Sequence, residues 1–316
     1  MPVDRDEIDR AAERVGGLIR RTPVLDIDEH AFGVPCVLKL DLLQPTGSFK
    51  ARGASSLLTG IDVPPTGVVA ASGGNFGQAI AWAAVRLGHD AHIFVPSTSP
   101  EAKIAPIRSW GATVHVVDGY YHEALRAAEE HVADSGAAWA HAYDQPEVVA
   151  GQGTVARELL EDVPGVDTIL VACGGGGLLA GVAGWAQDDV RVVAVETETT
   201  PTLHAALEAG QPVDVEVSGL AASSLGARRL GAHAWAARSW VDHNLLVTDE
   251  QVAEAQLALW QACRLVTEPG GAAALTALLS GAYVPAPDER VAVLVCGANT
   301  DAASLTATPQ RPPRHD

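Results

Sequence analysis

Three lysines occur among the 316 residues, and one of them lies where a turn leads into a helix-like run. Lys50 directly follows Thr46-Gly47-Ser48-Phe49, which predicts a turn and a helix with Ser48 as its N-cap. The positive end of a helix disfavours an ammonium, so this position helps to keep an amine nucleophilic. Lys39 and Lys103 lie in ordinary strand-like and helix-like runs and are predicted to be solvated surface charges. By position alone, however, an ordinary first-turn lysine is the commoner case for Lys50.

Two glycine-rich turns follow strand-like runs, and each precedes a helix-like run. The first is Ser72-Gly73-Gly74-Asn75-Phe76-Gly77, and the second is Gly174-Gly175-Gly176-Gly177. Glycines let the backbone approach an anion closely, and the first N–H groups of the following helix point at it with a favourable dipole. The second loop therefore predicts a ligand that carries a phosphate.

A dinucleotide fold is an alternative interpretation of the second loop. Gly175, Gly177 and Ala180 satisfy G-x-G-x-x-A. Glu196 ends the next strand-like run about twenty residues further on, where a ribose-binding acid belongs. This segment alone supports a nicotinamide cofactor and another phosphate ligand equally, and a purely structural turn less well. A P-loop nucleotide triphosphatase is excluded because GxxxxGK[ST] does not occur.

The elements that must position these residues are predicted from apolar, β-branched runs separated by Ala-rich amphipathic stretches. This alternation predicts an α/β fold with a largely parallel sheet. Helices are predicted to begin at Glu101 and after Thr248, and to end before Gly88 and Gly281, whereas Gly219 to Gly231 is predicted to be a loop near the site. The predicted strands are PCVLKL (35–40), GVVAAS (67–72), AHIFVP (91–96), TVHVV (113–117), DTILVAC (167–173), RVVAVE (191–196) and RVAVLVC (290–296).

The composition excludes several classes of function. Lys and Arg number 21 against 39 Asp and Glu, and the net charge of −18 repels nucleic acids and anionic membranes. The first ten residues, MPVDRDEIDR, lack the apolar core of a signal peptide, and no run of eighteen residues is uniformly apolar, so a cytoplasmic protein is expected. The four cysteines have no CxxC spacing, which indicates neither a zinc site nor a disulfide framework.

Six motifs, taken in order, resemble the serine/threonine dehydratase (ammonia-lyase) family of fold type II pyridoxal-phosphate enzymes. The resemblance spans almost the whole chain, and six ordered motifs are far more specific than one. The dinucleotide interpretation explains neither the lysine motif nor the asparagine motif and becomes a minor alternative. The motifs are QPTGSFKARGA (44–54), SGGNFGQAIAWAA (72–84), AGQGTVARE (150–158), CGGGGLLAGVA (173–183), EPGGAAALTALL (268–279) and CGANTD (296–301).

The resemblance implies a role for each motif residue. Lys50 would hold pyridoxal 5′-phosphate as a Schiff base, Asn75 would contact its 3-hydroxyl group, and Cys296 would face its pyridine nitrogen. The residues assigned to the cofactor are Phe49, Lys50, Asn75, Gly174, Gly175, Gly176, Gly177 and Cys296. The residues assigned to the substrate are Ser48, Ser72, Gly73, Asn75 and Gly219, with Thr46 close enough in sequence to help.

These identities imply a mechanism. A thiol at position 296 cannot keep the ring nitrogen protonated as a carboxylate would, so the cofactor is a weaker electron sink and rapid β-elimination is favoured. Lys50, freed by the substrate amine, would remove the Cα proton, and the cofactor phosphate would protonate the leaving hydroxyl group. L-Serine would give pyruvate, and L-threonine would give 2-oxobutanoate. An amino-acid racemase and a β-replacement synthase remain alternatives with the same cofactor.

Four positions depart from the common family pattern. Gly73 stands where related racemases carry a second serine, which favours dehydration over racemisation. Phe76 replaces a histidine of many relatives and leaves the polarity of the pocket open. Glu196 matches the first carboxylate of the family's divalent-cation site, but Thr202 replaces an expected aspartate, so cation binding is doubtful. Gly219 lies near the position at which many relatives have an Asp-Gly pair. We therefore expect this loop to recognise the substrate differently from those relatives.

The resemblance also implies an architecture. A large cofactor-binding domain comprises 1–44 and 146–316, and a small α/β domain, 45–145, is inserted in it. The cofactor would lie in the cleft between the two, and a homodimer is expected. The Pro-rich tail, 306–316, is predicted to be disordered.

Overall fold

The computed structural model describes residues 1–305, so the predicted disordered tail, 306–316, lies outside the described residues. All seven predicted strands form. The strands are β1 (Val24–Ile27), β2 (Cys36–Lys39), β3 (Val68–Ala71), β4 (Ala91–Pro96), β5 (Thr113–Val117), β6 (Ala138–Trp139), β7 (Thr168–Ala172), β8 (Arg191–Thr197), β9 (His243–Val247) and β10 (Val291–Leu294).

Helices separate most of these strands. They are α1 (Arg5–Val15), α2 (Glu29–Phe32), α3 (Lys50–Gly60), α4 (Asn75–Leu87), α5 (Glu101–Ser109), α6 (Tyr121–Ser135), α7 (Pro146–Asp162), α8 (Gly177–Ala186), α9 (Thr202–Ala209), α10 (Ala222–Leu225), α11 (Ala232–Ala237), α12 (Asp249–Cys263) and α13 (Pro269–Leu279). Short 3-10 helices occur at Asp41–Leu43, Arg238–Trp240 and Ala302–Leu305.

The strands form two sheets. The larger has the order β1-β2-β10-β7-β8-β9, and the smaller has the order β5-β4-β3-β6. Every pairing is parallel except that of β1 with β2. The predicted α/β fold with largely parallel sheet is confirmed. The three strands that the sequence did not predict, β1, β6 and β9, all lie at sheet edges, where exposure removes the continuous apolar run of a buried strand.

The large sheet is buried on both faces. All five residues of β7 are buried. Helices α1, α7 and α8 supply the core on one face, and α12 and α13 supply it on the other. A fully buried leucine or isoleucine contributes about 1.5–3 kcal/mol, so these layers fix the sheet that positions the site. Because parallel strands present their carboxyl ends at one edge, the loops after β7 and β10 lie on the same side.

Helix α3 lies in close contact with α7. A Cβ atom added at Gly151 would lie 2.5 Å from Cβ of Ser56, and one added at Gly53 would collide with the side chain of Gln152. Glycine at these two positions therefore allows the backbones of the helices to approach. This contact fixes the helix whose first residue is Lys50.

Lys39 is completely buried, and its prediction as a solvated surface charge is wrong. Its Nζ atom donates hydrogen bonds to the Thr22 carbonyl oxygen at 2.7 Å and to Glu158 at 2.5 Å. Strand β2 lies inside the sheet, between β1 and β10, so its side chains cannot reach solvent. Burial of this ammonium is possible because α7 supplies the Glu158 carboxylate.

The predicted helix boundaries are mostly correct. Thr248 caps α12 with a reciprocal pair of hydrogen bonds to Gln251, and Gly88 ends α4 in the left-handed conformation. Helix α5 begins at Glu101 as predicted. The predicted loop from Gly219 to Gly231 contains one short helix, α10.

Candidate active site

Lys50 is the first residue of α3, and its amine faces the backbone of the segment before α7. Nζ donates a hydrogen bond to the Ala142 carbonyl oxygen at 2.7 Å. The ring centroids of Phe49 and Phe76 lie 4.9 and 5.8 Å from Nζ. Burial lowers the pKa of Lys50 to about 8, although Cys296 and Glu268 act to raise this pKa. More of this amine is therefore neutral at neutral pH than in a solvated lysine.

Ser48 does not cap α3, so that prediction is wrong. Phe49 occupies the N-cap with helical backbone angles, and no side chain caps the helix. The backbone of Ser48 is held instead in a bridge to Gly297, which follows β10. The hydroxyl groups of Ser48 and Thr46 are buried and have no hydrogen-bond partner in residues 1–305. Unpaired buried hydroxyl groups close to Lys50 in sequence leave hydrogen-bonding capacity for a ligand.

Glu268 is a buried carboxyl group of the site that the sequence analysis did not single out. It precedes α13, and its Oε1 atom accepts a hydrogen bond from Asn75 Nδ2 at 2.6 Å. Burial raises the pKa of Glu268 to about 7, while Asn75 and the charges of Lys103 and Lys50 act to lower it. In the sequence, a glutamate before Pro-Gly-Gly is indistinguishable from an ordinary acid at a helix start.

Asn75, predicted to contact the cofactor's 3-hydroxyl group, is held by a second asparagine that the sequence analysis also missed. Nδ2 of Asn299 donates to Asn75 Oδ1 at 2.7 Å and to the Thr46 carbonyl oxygen at 2.9 Å. The Asn75 amide is therefore fixed, because its oxygen accepts from Asn299 while its nitrogen donates to Glu268. Gly47, with φ of +73°, allows the close approach of Asn299 Oδ1.

The loop Gly174–Gly177 connects β7 to α8. A Cβ atom added at Gly175 would lie 2.5 Å from the Tyr143 ring, and one added at Gly177 would lie 2.7 Å from the Tyr143 carbonyl oxygen. Gly176 has φ of +84°, which favours glycine. The first N–H groups of α8 have no partner within the helix and could bind an anion.

Cys296 lies just beyond β10. Its carbonyl oxygen accepts a hydrogen bond from the Phe49 backbone N–H at 2.9 Å, and its thiol lies 3.5 Å from the Gly270 carbonyl oxygen. Burial raises the pKa of the thiol well above its ordinary value, with a smaller contribution from Glu268. The thiol is therefore neutral.

The residues assigned to the substrate are only partly brought together. Ser72 follows β3, and its hydroxyl group accepts a hydrogen bond from the Gly74 backbone N–H at 3.4 Å. Gly73 lies beside Ser99, whose Oγ atom would be 3.0 Å from a Cβ atom added there. Gly219, with φ of +76°, packs against Asp249 and Thr199, so its contacts do not join it to Lys50.

A family model described as pyridoxal-phosphate dependent enzyme matches residues 15–297. The chain belongs to this family. It is 35% identical over 314 residues to an L-threonine ammonia-lyase of Geobacter sulfurreducens, covering 96% of this chain and 77% of the relative. An L-threonine ammonia-lyase of Thermotoga maritima is 33% identical, covering 94% of this chain and 75% of that one.

Two solved structures show the same fold as this pyridoxal-phosphate dependent enzyme. Maize serine racemase has a TM-score of 0.91 at 30% identity, covering 97% of this chain and 96% of that one. A threonine deaminase from T.th. has a TM-score of 0.87 at 34% identity, covering 94% of this chain and 99% of that one. The resemblance to fold type II pyridoxal-phosphate enzymes is confirmed.

The residues of this site fit the family's cofactor. A lysine amine with a lowered pKa suits an aldehyde, and the start of α8 suits a phosphate. The fixed amide of Asn75 can donate a hydrogen bond to a polar atom of the cofactor's aromatic ring. The neutral thiol of Cys296 would interact only weakly with the polar atoms of that ring. The unpaired hydroxyl groups of Thr46 and Ser48 lie within the same motif as Lys50.

Glu196, the predicted carboxylate of a divalent-cation site, has both oxygens occupied by hydrogen-bond donors. Oε1 accepts from the Leu203 N–H at 2.8 Å and lies 3.0 Å from the Thr202 hydroxyl oxygen. Oε2 accepts from the His204 N–H and from Asn244 Nδ2, each at 2.9 Å. In residues 1–305 no group of three or more His, Cys, Asp or Glu residues could hold a metal ion.

The same part of the chain contains no helix whose length and apolar character would allow it to cross a membrane.

Proposed function

We propose that this enzyme is an ammonia-lyase that converts L-threonine or L-serine into a 2-oxo acid and ammonium by β-elimination. The observation that carries the proposal is the Lys50 amine, with a pKa of about 8, in a site whose Cys296 thiol is neutral. The two bacterial relatives named L-threonine ammonia-lyase support the same reaction. Because the family match includes Gly174–Gly177, a nicotinamide cofactor is not needed to explain that loop.

The residues of the site divide the tasks of this reaction between them. Pyridoxal 5′-phosphate, when bound, supplies a conjugated ring that withdraws electrons from the substrate Cα atom. Lys50 would hold the cofactor through its aldehyde carbon, and its free amine would take the Cα proton of the substrate as general base. Asn75 would donate to the cofactor's 3-hydroxyl oxygen, and the N–H groups at the start of α8 would bind its phosphate. Phe49 and Phe76 exclude water from beside the amine.

The neutral Cys296 thiol decides which chemistry is favoured. A carboxylate would keep the pyridine nitrogen protonated, whereas a neutral thiol does not. Chemistry that needs a long-lived carbanion is disfavoured, and a leaving group on Cβ is expelled rapidly. Ser72, the backbone of Gly73, and the hydroxyl groups of Thr46 and Ser48 are proposed to bind the substrate. Gly219 is proposed to belong to a loop at the border of the substrate pocket.

The proposed domain division, 1–44 with 146–316 and 45–145, agrees with the membership of the two sheets. All strands of the small sheet lie between Val68 and Trp139, and all strands of the large sheet lie outside that range. The cofactor is proposed to lie in the cleft between them. The acidic composition is compatible with a cytoplasmic homodimer, which light scattering of the purified holoenzyme would check.

Keto-acid formation tests the proposal directly. The purified holoenzyme is incubated with L-serine, L-threonine or threo-3-hydroxyaspartate, and 2-oxo acid and ammonium are measured. We expect equal amounts of the two products from at least one of the first two substrates. No keto acid from any β-hydroxy amino acid would overturn the proposal, and a thiol adduct formed faster than keto acid would favour a β-replacement synthase.

Racemisation is a second candidate because of the contact between Gly73 and Ser99. Gly73 carries no hydroxyl group, but Ser99 Oγ would lie 3.0 Å from a Cβ atom added there, so a hydroxyl group stands beside the position. A second proton donor is what a two-base racemisation needs. D-Serine formation from L-serine, lost in Ser99→Ala while pyruvate formation persists, would support this activity. The absence of D-serine would reject it.

A further inference from the structure

His141 belongs to a rigid segment that lies against the Lys50 amine. The next residue, Ala142, accepts the hydrogen bond from Lys50 Nζ at 2.7 Å. The His141 backbone N–H donates to Gln145 Oε1 at 2.7 Å, and the Gln145 amide donates to the Trp139 carbonyl oxygen at 3.1 Å. These contacts hold the backbone on both sides of the histidine, so its side chain is positioned before any substrate binds.

The hydrogen bonds of the His141 ring determine which nitrogen carries the proton. Nδ1 accepts from the backbone N–H groups of Asp144 at 3.0 Å and of Tyr143 at 3.4 Å. A nitrogen that accepts two N–H groups must have a free lone pair, so the proton of the neutral ring is on Nε2. Burial lowers the pKa of His141, Asp144 acts to raise it, and Lys50 acts to lower it, which favours this neutral form.

The Nε2–H group of His141 is a donor without a use in the fold. It has no hydrogen-bond partner in residues 1–305, and it is not fully buried. The atom therefore reaches the open space beside the segment. Because Ala142, the next residue, accepts the hydrogen bond from Lys50 Nζ at 2.7 Å, the segment that carries this donor lies beside the reacting amine.

The substrate acceptor that this donor fits follows from the other assignments. Under the proposed function, Ser72 and nearby backbone serve the carboxylate, and the start of α8 serves the cofactor phosphate. The β-oxygen of the substrate, which the cofactor phosphate would protonate, has no partner assigned among the protein residues. Since it is bonded to the carbon next to Cα, it lies within about 2.5 Å of the atom from which Lys50 takes a proton.

We infer that His141 binds the β-hydroxyl oxygen of the substrate through its Nε2–H group and assists the departure of that oxygen. The inference rests on the proposed function. When the Cβ–O bond breaks, its electron pair goes to oxygen, and a hydrogen-bond donor placed there stabilises the developing charge. The Nε2 proton stays on the ring, because a neutral imidazole is too weak an acid to give it up, and the proton with which the oxygen leaves as water would come from the cofactor phosphate.

The leaving group distinguishes this role from a structural one. Chloride departs without any proton or strong hydrogen bond, so β-chloro-L-alanine should need His141 much less than L-serine does. In His141→Asn the side-chain oxygen takes the place of Nδ1 and keeps the turn, but the Nε2–H group is lost. His122→Asn, which changes an exposed histidine, is the matched control.

Pyruvate formation from both substrates is measured with the wild type, His141→Asn and His122→Asn as holoenzymes. We expect His141→Asn to lower kcat with L-serine on the order of 100-fold. With β-chloro-L-alanine the loss should be less than about threefold, and the visible absorbance of the lysine-bound cofactor should not change. His141→Gln, whose amide can replace the donor, should recover part of the activity on L-serine.

Three outcomes would contradict these expectations. An equal loss with both substrates would show that His141 acts on the fold or on the cofactor, and no loss with L-serine would show that it does not contact the leaving oxygen. Either result overturns the inference and leaves the proposed function intact. The proposed function itself would be overturned by a different result. In that case the wild type would form no pyruvate from L-serine, no 2-oxobutanoate from L-threonine and no keto acid from other β-hydroxy amino acids.

Discussion

Helix α3 connects two regions that bury charged groups in opposite ways. At Arg52, a buried network gives every charge a partner: Arg52 binds Asp41 at 2.6 Å and Glu158 at 3.1 Å, and Lys39 binds Glu158 at 2.5 Å. Two residues earlier, the Lys50 amine has, within residues 1–305, a single hydrogen-bond partner, which is a carbonyl oxygen. The same helix thus carries one charge that opposite charges stabilise and one amine whose charged form they stabilise only in part.

The pKa values follow this difference. Burial acts to raise the pKa of Asp41, but Arg52 holds it below the ordinary value. Burial instead lowers the pKa of Lys50 to about 8 and raises that of Glu268 to about 7, because no opposite charge compensates fully. Burial alone therefore does not make a group reactive. A buried group is expected to be reactive when no opposite charge fully compensates for its burial.

The largest effect is expected at the reactive lysine. Lys50→Ala removes both the cofactor attachment and the general base, so kcat should fall on the order of 10⁴-fold or more. The visible absorbance of the lysine-bound cofactor should disappear, while urea unfolding should show little change in stability. Activity above about 1% of the wild type would contradict the assignment.

Arg52 tests the paired side of the comparison. Arg52→Met leaves the buried carboxylate of Asp41 without its partner, and the free energy of unfolding should fall by about 3–5 kcal/mol. Urea unfolding of the apoenzyme measures this change. Arg126→Met, which removes an exposed pair with Glu130, is the control and should change stability by less than about 1 kcal/mol. If Arg52→Met and Arg126→Met lowered the free energy of unfolding equally, the buried network around Arg52 would not be stabilised by its charge pairs as we expect.

The titration of Lys50 can be followed through cofactor capture. Only the neutral amine attacks an aldehyde, so the rate at which apoenzyme binds pyridoxal 5′-phosphate should rise with pH and level off above about 8. Glu268 acts to raise the pKa of Lys50, and Glu268→Gln should therefore shift the midpoint of this profile downward by less than about one unit. Stopped-flow absorbance measures both profiles, and an upward shift would contradict the arrangement.

Asn299 tests how the neutral polar groups of the site are held in place. Asn299→Ala removes the donor that orients the Asn75 amide, at a cost of about 1 kcal/mol for a neutral hydrogen bond. Affinity for pyridoxal 5′-phosphate, measured by equilibrium dialysis, should fall by roughly fivefold, and the free energy of unfolding should fall by no more than about 1 kcal/mol. Unchanged affinity would mean that Asn75 keeps its orientation without Asn299.

The smallest effect is expected from chelation. Both oxygens of Glu196 already accept hydrogen bonds, so a hard cation would have to displace N–H and hydroxyl donors. EDTA should leave kcat and the free energy of unfolding unchanged within error. A loss of activity that Mg²⁺ or Ca²⁺ restores would contradict this expectation.

The predictions from sequence succeeded where a short sequence pattern is sufficient to identify a local structure. Continuous apolar runs identify the interior strands, and the motif order identifies the family that places Lys50, Asn75 and the glycine loop. The same reasoning failed for Lys39, because a lysine in a strand-like run gives no sign of the carboxylate that receives it. It also missed the short edge strands β1, β6 and β9, whose partial exposure breaks the apolar run.

The sequence by itself determined the α/β class and the pyridoxal-phosphate family, and it predicted the lysine that we propose to bind the cofactor. Only the tertiary structure decided which polar groups surround that lysine. Glu268, Asn299 and the His141 segment are each about 90 or more residues from Lys50 along the chain, and they come from three parts of the fold: Asn299 follows β10 of the large sheet, the His141 segment follows β6 of the small sheet, and Glu268 precedes α13. Partnership between buried charges depends on this three-dimensional proximity, because electrostatic and hydrogen-bond energies fall with distance in space rather than along the sequence.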